Sequence, residues 1–197
     1  MLFYLRPRTP AVQRLLQERE RASFSYQDVG ATRTAPPPGW RINHMRQLIG
    51  KRQAAYEKAC TALFSWRLLA IDGLQAFPST PVLEKGTDVA ILSRHFGIWS
   101  VDFCRVIYVL RDEFEKHGRL LRTGFAYGTL PGHAIRGEEI FSIEWHPATR
   151  EVWYDIYSFS LPATRLIKLL SPIARATQRR FARASLEAAR LATESEA

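Results

Sequence analysis

Cysteine is nearly absent: Cys60 and Cys104 are the only two, far apart and each inside an apolar run. A disulfide framework needs more of them, so the expected compartment is a reducing one. Long hydrophobic runs are missing too, and nothing approaches the roughly 20 apolar residues of a bilayer span. The start, Met1-Leu2-Phe3-Tyr4-Leu5-Arg6-Pro7, is broken too early for a signal peptide. These absences lead us to expect a soluble, cytoplasmic protein. Lysine is scarce as well, since only Lys51, Lys58, Lys85, Lys116 and Lys168 contribute to the 28 basic residues. The net charge of +9 therefore comes from arginine. It reflects either a GC-rich coding preference or a polyanion-binding surface. No G-x-S-x-G, H-E-x-x-H, C-x-x-C, P-loop or G-x-G-x-x-G motif occurs, so no motif-bearing enzyme class, metal set or cofactor is indicated.

What is present is an ordinary globular composition, 46% hydrophobic and 24% charged over 197 residues, which is the size of one domain. Residues 1–23 are expected to carry a short helix, capped by Thr9, with Pro10 in its first turn and Val12, Leu15 and Leu16 on one stripe. Residues 24–192 form the expected domain, and 193–197 a disordered tail. Phe24–Arg33 reads as a polar-aromatic strand or loop, and Ala35-Pro36-Pro37-Pro38-Gly39 as an extended surface connection. Ile49–Trp66 has the spacing of a long amphipathic helix, and Leu68–Ile71 that of a short strand. Five strand patterns follow, at Asp88–Phe96, Ile98–Arg111, Leu120–Tyr127, Glu138–Trp145 and Glu151–Phe159, separated by turn signals such as Pro131-Gly132. From Pro162 onward apolar residues recur at spacings of three and four. The class is α+β: a curved antiparallel sheet, apolar on both faces, with a long C-terminal helix across it. This is a helix-grip order of elements, similar to the lipid-transfer and birch-pollen-allergen superfamily.

Phe125-Ala126-Tyr127-Gly128-Thr129-Leu130-Pro131-Gly132-His133 is the most distinctive run. Taken with Arg136–Phe141, Gly30-Ala31-Thr32-Arg33, His95–Trp99, Cys104–Tyr108 and Gln178–Phe181, it resembles the family of bacteria and plants known as domain of unknown function nineteen-ninety. The resemblance runs from about Phe24 to about Leu191. It implies fold and localisation, and brings no activity with it.

The candidate polar contacts of an internal cavity are Arg105, Tyr127, His133, Glu139 and His95. Glu138 and Glu139 are adjacent and so point to opposite faces of a strand. Glu139 shares the greasier face with Phe141, Ile143 and Trp145, and is expected to need a partner such as Arg105 or Arg33. Arg105 interrupts an apolar strand on the face of Val101, Phe103, Ile107 and Val109. It either anchors an anionic group or forms a structural ion pair with Glu139 or Asp155. The Pro131-Gly132 turn would carry His133 back towards Glu138 and Glu139, as a general base or as an ordinary loop contact. Cys104 is expected to pack rather than react. The expected function is non-enzymatic binding of a small hydrophobic or amphipathic ligand. Two alternatives stay open: acid/base catalysis by His133 with a glutamate, or contact with anionic lipid or nucleic acid through Arg175, Arg179, Arg180 and Arg183 of the terminal helix.

Overall fold

A computed structural model describes residues 1–36, 38–69, 71, 73–79, 82–95, 97–115, 118–164, 167 and 171–194, without the side chains of 95, 171–175, 177 and 178. Strand β1 (Leu2–Phe3) and helix α1 (Thr9–Gln17) come first, and Ala31–Arg33 makes a single 3₁₀ turn. Arg8, not Thr9, occupies the cap position of α1. Strand β2 (Arg41–Lys51), helix α2 (Gln53–Phe64) and strand β3 (Leu74–Phe77) follow. The long strands are β4 (Asp88–His95), β5 (Ile98–Glu115), β6 (Leu120–Thr129), β7 (Ile135–His146) and β8 (Glu151–Pro162), and helix α3 spans Ser171–Glu194.

The strands form one sheet in the order β2-β8-β7-β6-β5-β4-β3, antiparallel throughout, with β1 added beside β5. The five strand patterns of the second half therefore pair as consecutive hairpins. Two expectations for the first half are corrected. Residues 41–51 are a strand, so the helix expected from Ile49 begins only at Gln53. The strand expected at Leu68–Ile71 lies instead at Leu74–Phe77, while Leu68 and Leu69 are buried in a turn.

Helices α2 and α3 cover the concave face. Ala59, Ala62, Leu63 and Trp66 meet Phe125, Phe141, Ile143, Tyr154 and Ile156 of the sheet and Ala182, Leu186 and Ala189 of α3 in one buried cluster. Tyr154 and Ser185 share a buried hydroxyl contact at 3.0 Å. Thr193 donates to the Ile49 carbonyl, which ties the end of α3 to β2. Small residues permit the close approach. A Cβ on Gly50 would lie 2.9 Å from that of Ala55.

The convex face is covered in part by Phe24, Tyr26, Ala31 and Trp40. Tyr26, Trp40 and Phe159 meet edge-to-face at 5.0 to 6.1 Å. A Cβ on Gly128 would overlap the Tyr26 hydroxyl and press on Phe24, so this glycine makes room for them. Farther along, Val12 of α1 packs with Ala90, Leu92, Val101, Phe103 and Leu130. No helix among the described residues is long and apolar enough to cross a membrane.

Candidate functional site

Cross-strand register, rather than sequence order, assembles the site. Directly opposed residues share a face of an antiparallel sheet. The ladders oppose Asn43 to Ser158, Ser158 to Glu139, Glu139 to Tyr127, and Tyr127 to Val106. This row crosses the concave face and is polar except at Val106. The adjoining row on the same face is Met45, Ile156, Phe141, Phe125 and Val109, and every member is apolar.

Tyr127 Oη donates to Glu139 Oε2 at 3.0 Å. The Tyr127 ring stands edge-on to Phe141 at 5.4 Å, and Phe181 of α3 closes on Phe141 from above at 6.3 Å. Removal from water lifts the Glu139 carboxyl from an ordinary 4.5 to about 7, while the hydrogen bond from Tyr127 holds it down. Burial also pushes the Tyr127 hydroxyl well up, and the facing carboxylate adds to the effect. Asn43, Met45, Tyr127, Glu139 and Phe181 are nonetheless only half-buried. The row thus combines a weakened acid, a hydrogen-bond donor and an apolar surround with residual access to solvent. Nearby on this face Cys104 is fully enclosed, and burial raises its thiol well above its usual value, which keeps it protonated. Among the described residues no group of three His, Cys, Asp or Glu side chains converges as metal ligands.

Residues 25–188 match the family model described as Domain of unknown function (DUF1990). The chain belongs to this family. A UPF0548 protein of Deinococcus radiodurans is 36% identical over 194 residues, covering 92% of this chain and 94% of that protein. A UPF0548 protein of Arabidopsis thaliana is 39% identical over 150 residues, covering 76% and 72%. Among solved structures, a hypothetical protein from Helicobacter pylori aligns over 80% of this chain and 91% of its own at 14% identity, with a TM-score of 0.50, a likeness of fold. The DUF1990 match contains all four polar residues of the row, Asn43, Ser158, Glu139 and Tyr127.

Within this DUF1990 domain, Tyr127 and Glu139 come together, and two other expected contacts, Arg105 and His133, are placed differently. Arg105 is on the convex side. It shares that side with Ile107 by simple alternation, and a bulge between Val106 and Tyr108 turns Val109 to the concave face. Its Nε and Nη2 hold Asp88 at 2.5 and 2.9 Å, and it donates to the carbonyls of Ala22, Glu20 and Arg19 at 2.8, 2.7 and 3.0 Å. Neither Glu139 nor Asp155 is its partner, so the expectation of Arg105 as a cavity contact is corrected. Arg33, the other expected partner, meets Glu113 at 3.3 Å and lies over the Tyr108 ring. His133 is not carried to the glutamates. Its Nδ1 accepts from Ile135 N at 3.1 Å and lies 3.8 Å from Asp102, and burial lowers its proton affinity against the pull of that carboxylate. His95 ends β4 opposite Ile98, and its side chain lies outside the described residues.

Glu138 belongs to the outer face. It accepts from Tyr26 Oη at 2.8 Å, Gly30 N at 2.7 Å, Thr32 N at 3.0 Å and the Thr32 hydroxyl. The Gly30-Ala31-Thr32-Arg33 motif is thus explained as the docking loop of a buried carboxylate. Asn43 and Ser158 escaped the sequence reading. For Ser158 the strand alternation was there to find it, whereas Asn43 lay in a strand not recognised as one.

Proposed function

We propose that this protein binds a small hydrophobic or amphipathic molecule between the concave sheet face and the helices, without transforming it. The observation that carries this reading is the polar row Asn43–Ser158–Glu139–Tyr127, set beside a wholly apolar row and still partly open to solvent. A few convergent polar groups on an apolar wall are what orient a ligand in such sites. Glu139 and Tyr127 orient the ligand's polar end, and Met45 and Phe181 border its apolar part. Catalysis by His133 with a glutamate has less support, because the histidine stands beside Asp102 instead.

Native mass spectrometry of freshly purified protein, followed by thermal stabilisation against a panel of apolar acids, alcohols, amines and isoprenoids, tests the reading. A ligand at 100 times its dissociation constant stabilises by about 2.7 kcal/mol. No retained molecule and no shift across the panel would sink it. A second activity, attraction to anionic surfaces, is favoured by the exposed side chains of Arg179, Arg180 and Arg183 along α3. The side chain of Arg175 lies outside the described residues.

A further inference from the structure

The charge at the concave face narrows the ligand class. The molecule carries +9 overall, yet the acid on the polar row is Glu139, and the group that hydrogen-bonds it is a neutral phenol, Tyr127. Three arginines of the sheet and one of the 3₁₀ turn are engaged elsewhere: Arg105 with Asp88, Arg46 with Glu144, Arg122 with Glu115 and Ser142, and Arg33 with Glu113. The other groups facing this space are Cys104 on β5, Tyr127 on β6, and Ser158 and Tyr154 on β8. Asn43 and Gln47 face it from β2, and Phe181 and Ser185 from α3. Among these described residues none is a cation. The Tyr127 bond engages Oε2 of the carboxyl, and an ion in apolar surroundings is costly unless a counter-charge and further hydrogen bonds accompany it.

Resting on the cavity reading above, we infer that the ligand is an apolar amine, bound as its ammonium ion with the cation against Glu139 and its N–H groups donating to the Ser158 hydroxyl and Asn43 amide oxygens of the same row. An ammonium supplies what the described residues of the site do not: three donors and a positive charge. A carboxylate ligand would set two like charges together, and an alcohol would add a hydrogen bond without a counter-ion. The donor strength of a charge-assisted bond makes the amine the favoured member of a matched series.

Isothermal titration calorimetry with octylamine, octanol and octanoate, at equal chain length and below micellar concentrations, tests the inference. At pH 8 an alkyl ammonium remains protonated, as lysine does, and Glu139 is mostly ionised. Octylamine should bind at least about tenfold more tightly than octanol, the weight of a charge-assisted hydrogen bond. Its advantage should shrink on going to pH 6, as Glu139 takes up its proton, and vanish in Glu139→Gln. Octanol or octanoate binding as tightly as octylamine overturns the amine assignment and leaves the cavity reading standing. An amine preference that persists in Glu139→Gln also overturns it. If none of the three binds and the wider panel fails as well, the cavity reading itself falls. The wild-type comparison decides the matter even if the variant does not fold.

Discussion

Glu138 and Glu139 are neighbours in the chain whose carboxyls serve opposite faces of one sheet, each capped by a tyrosine from elsewhere. Tyr26 donates to Glu138 at 2.8 Å on the convex side, and Tyr127 to Glu139 at 3.0 Å on the concave side. The first carboxyl has four donors and organises a loop. The second has one among the described residues and is only half-buried. Two chemically identical residues therefore divide into a structural anchor and a candidate binding group.

Glu138→Ala should remove the anchor of the Phe24–Arg33 segment. The donors of Gly30, Thr32 and Tyr26 would lose their acceptor in a buried setting, at a cost of about 2–4 kcal/mol. Chemical denaturation measures the loss, and amide exchange should accelerate at Gly30 and Thr32 in particular. Retention of exchange protection at those two amides would show that the loop is held by its aromatic contacts instead.

Glu139 gives the molecule a specific pH signature. Its folded-state proton affinity, about 7, exceeds the ordinary 4.5. The folded state thus binds more protons than the unfolded chain between those values, and its contribution is fully present below about 4.5 and lost as pH rises through 7. Compared with Glu139→Gln, wild type should be equally stable at pH 4 and less stable at pH 8, by at most about 3 kcal/mol. Paired denaturation curves across this range, in which all other titrations cancel, should reveal the divergence. Parallel curves would mean that the carboxyl is well hydrated.

Arg105→Leu should cost stability and leave ligand uptake unchanged. The guanidinium neutralises Asp88, whose side chain is 13% exposed, and ties down three carbonyls after α1. Its loss strands the carboxylate, with an expected penalty of about 2–4 kcal/mol. Thermal midpoints of the variant with and without octylamine separate the two effects. The midpoint should fall, and the ligand-induced rise should persist.

Replacing Arg179, Arg180 and Arg183 by glutamine should abolish any association with anionic vesicles of phosphatidylserine at low salt. These side chains are exposed on α3, and each phosphate contact contributes about one unit to the salt slope. Sedimentation of vesicles at two ionic strengths measures it. Equal binding by the triple variant would place the attraction elsewhere on the arginine-rich surface.

The strands from Asp88 to Phe159 were legible because both faces are apolar and turn residues punctuate them. β2 was not. Its outward residues Ile42 and Leu48 are exposed and interleaved with His44 and Arg46, while the inward side mixes Asn43 and Gln47 with Met45 and Ile49. With neither face uniformly apolar, alternation carries no signal, and only pairing with β8 makes a strand. Opposite faces for Glu138 and Glu139 followed from the period of two alone. The partner of Glu139 did not, because it depends on the register between β6 and β7, which no local pattern encodes. Arg105 shows the same limit. Strand alternation puts it on one face with Val101, Phe103 and Ile107, but the bulge that removes Val109 from that face and the helices that decide which face is inward leave no local pattern.

The ladder between β2 and β8 joins Arg41 to Ser160 and Lys51 to Glu151, so one of the first strands waits for the last. While the chain is being made, residues 41–51 have no sheet partner until the hairpins between them and β8 are in place. Thr193 can fasten Ile49 only after that. Such long-range closure is slow and leaves an unpaired edge exposed in the interval. The uneven polarity of β2, with His44, Arg46 and Gln47 breaking up its apolar residues, then has a second use: it discourages this waiting strand from pairing with another chain.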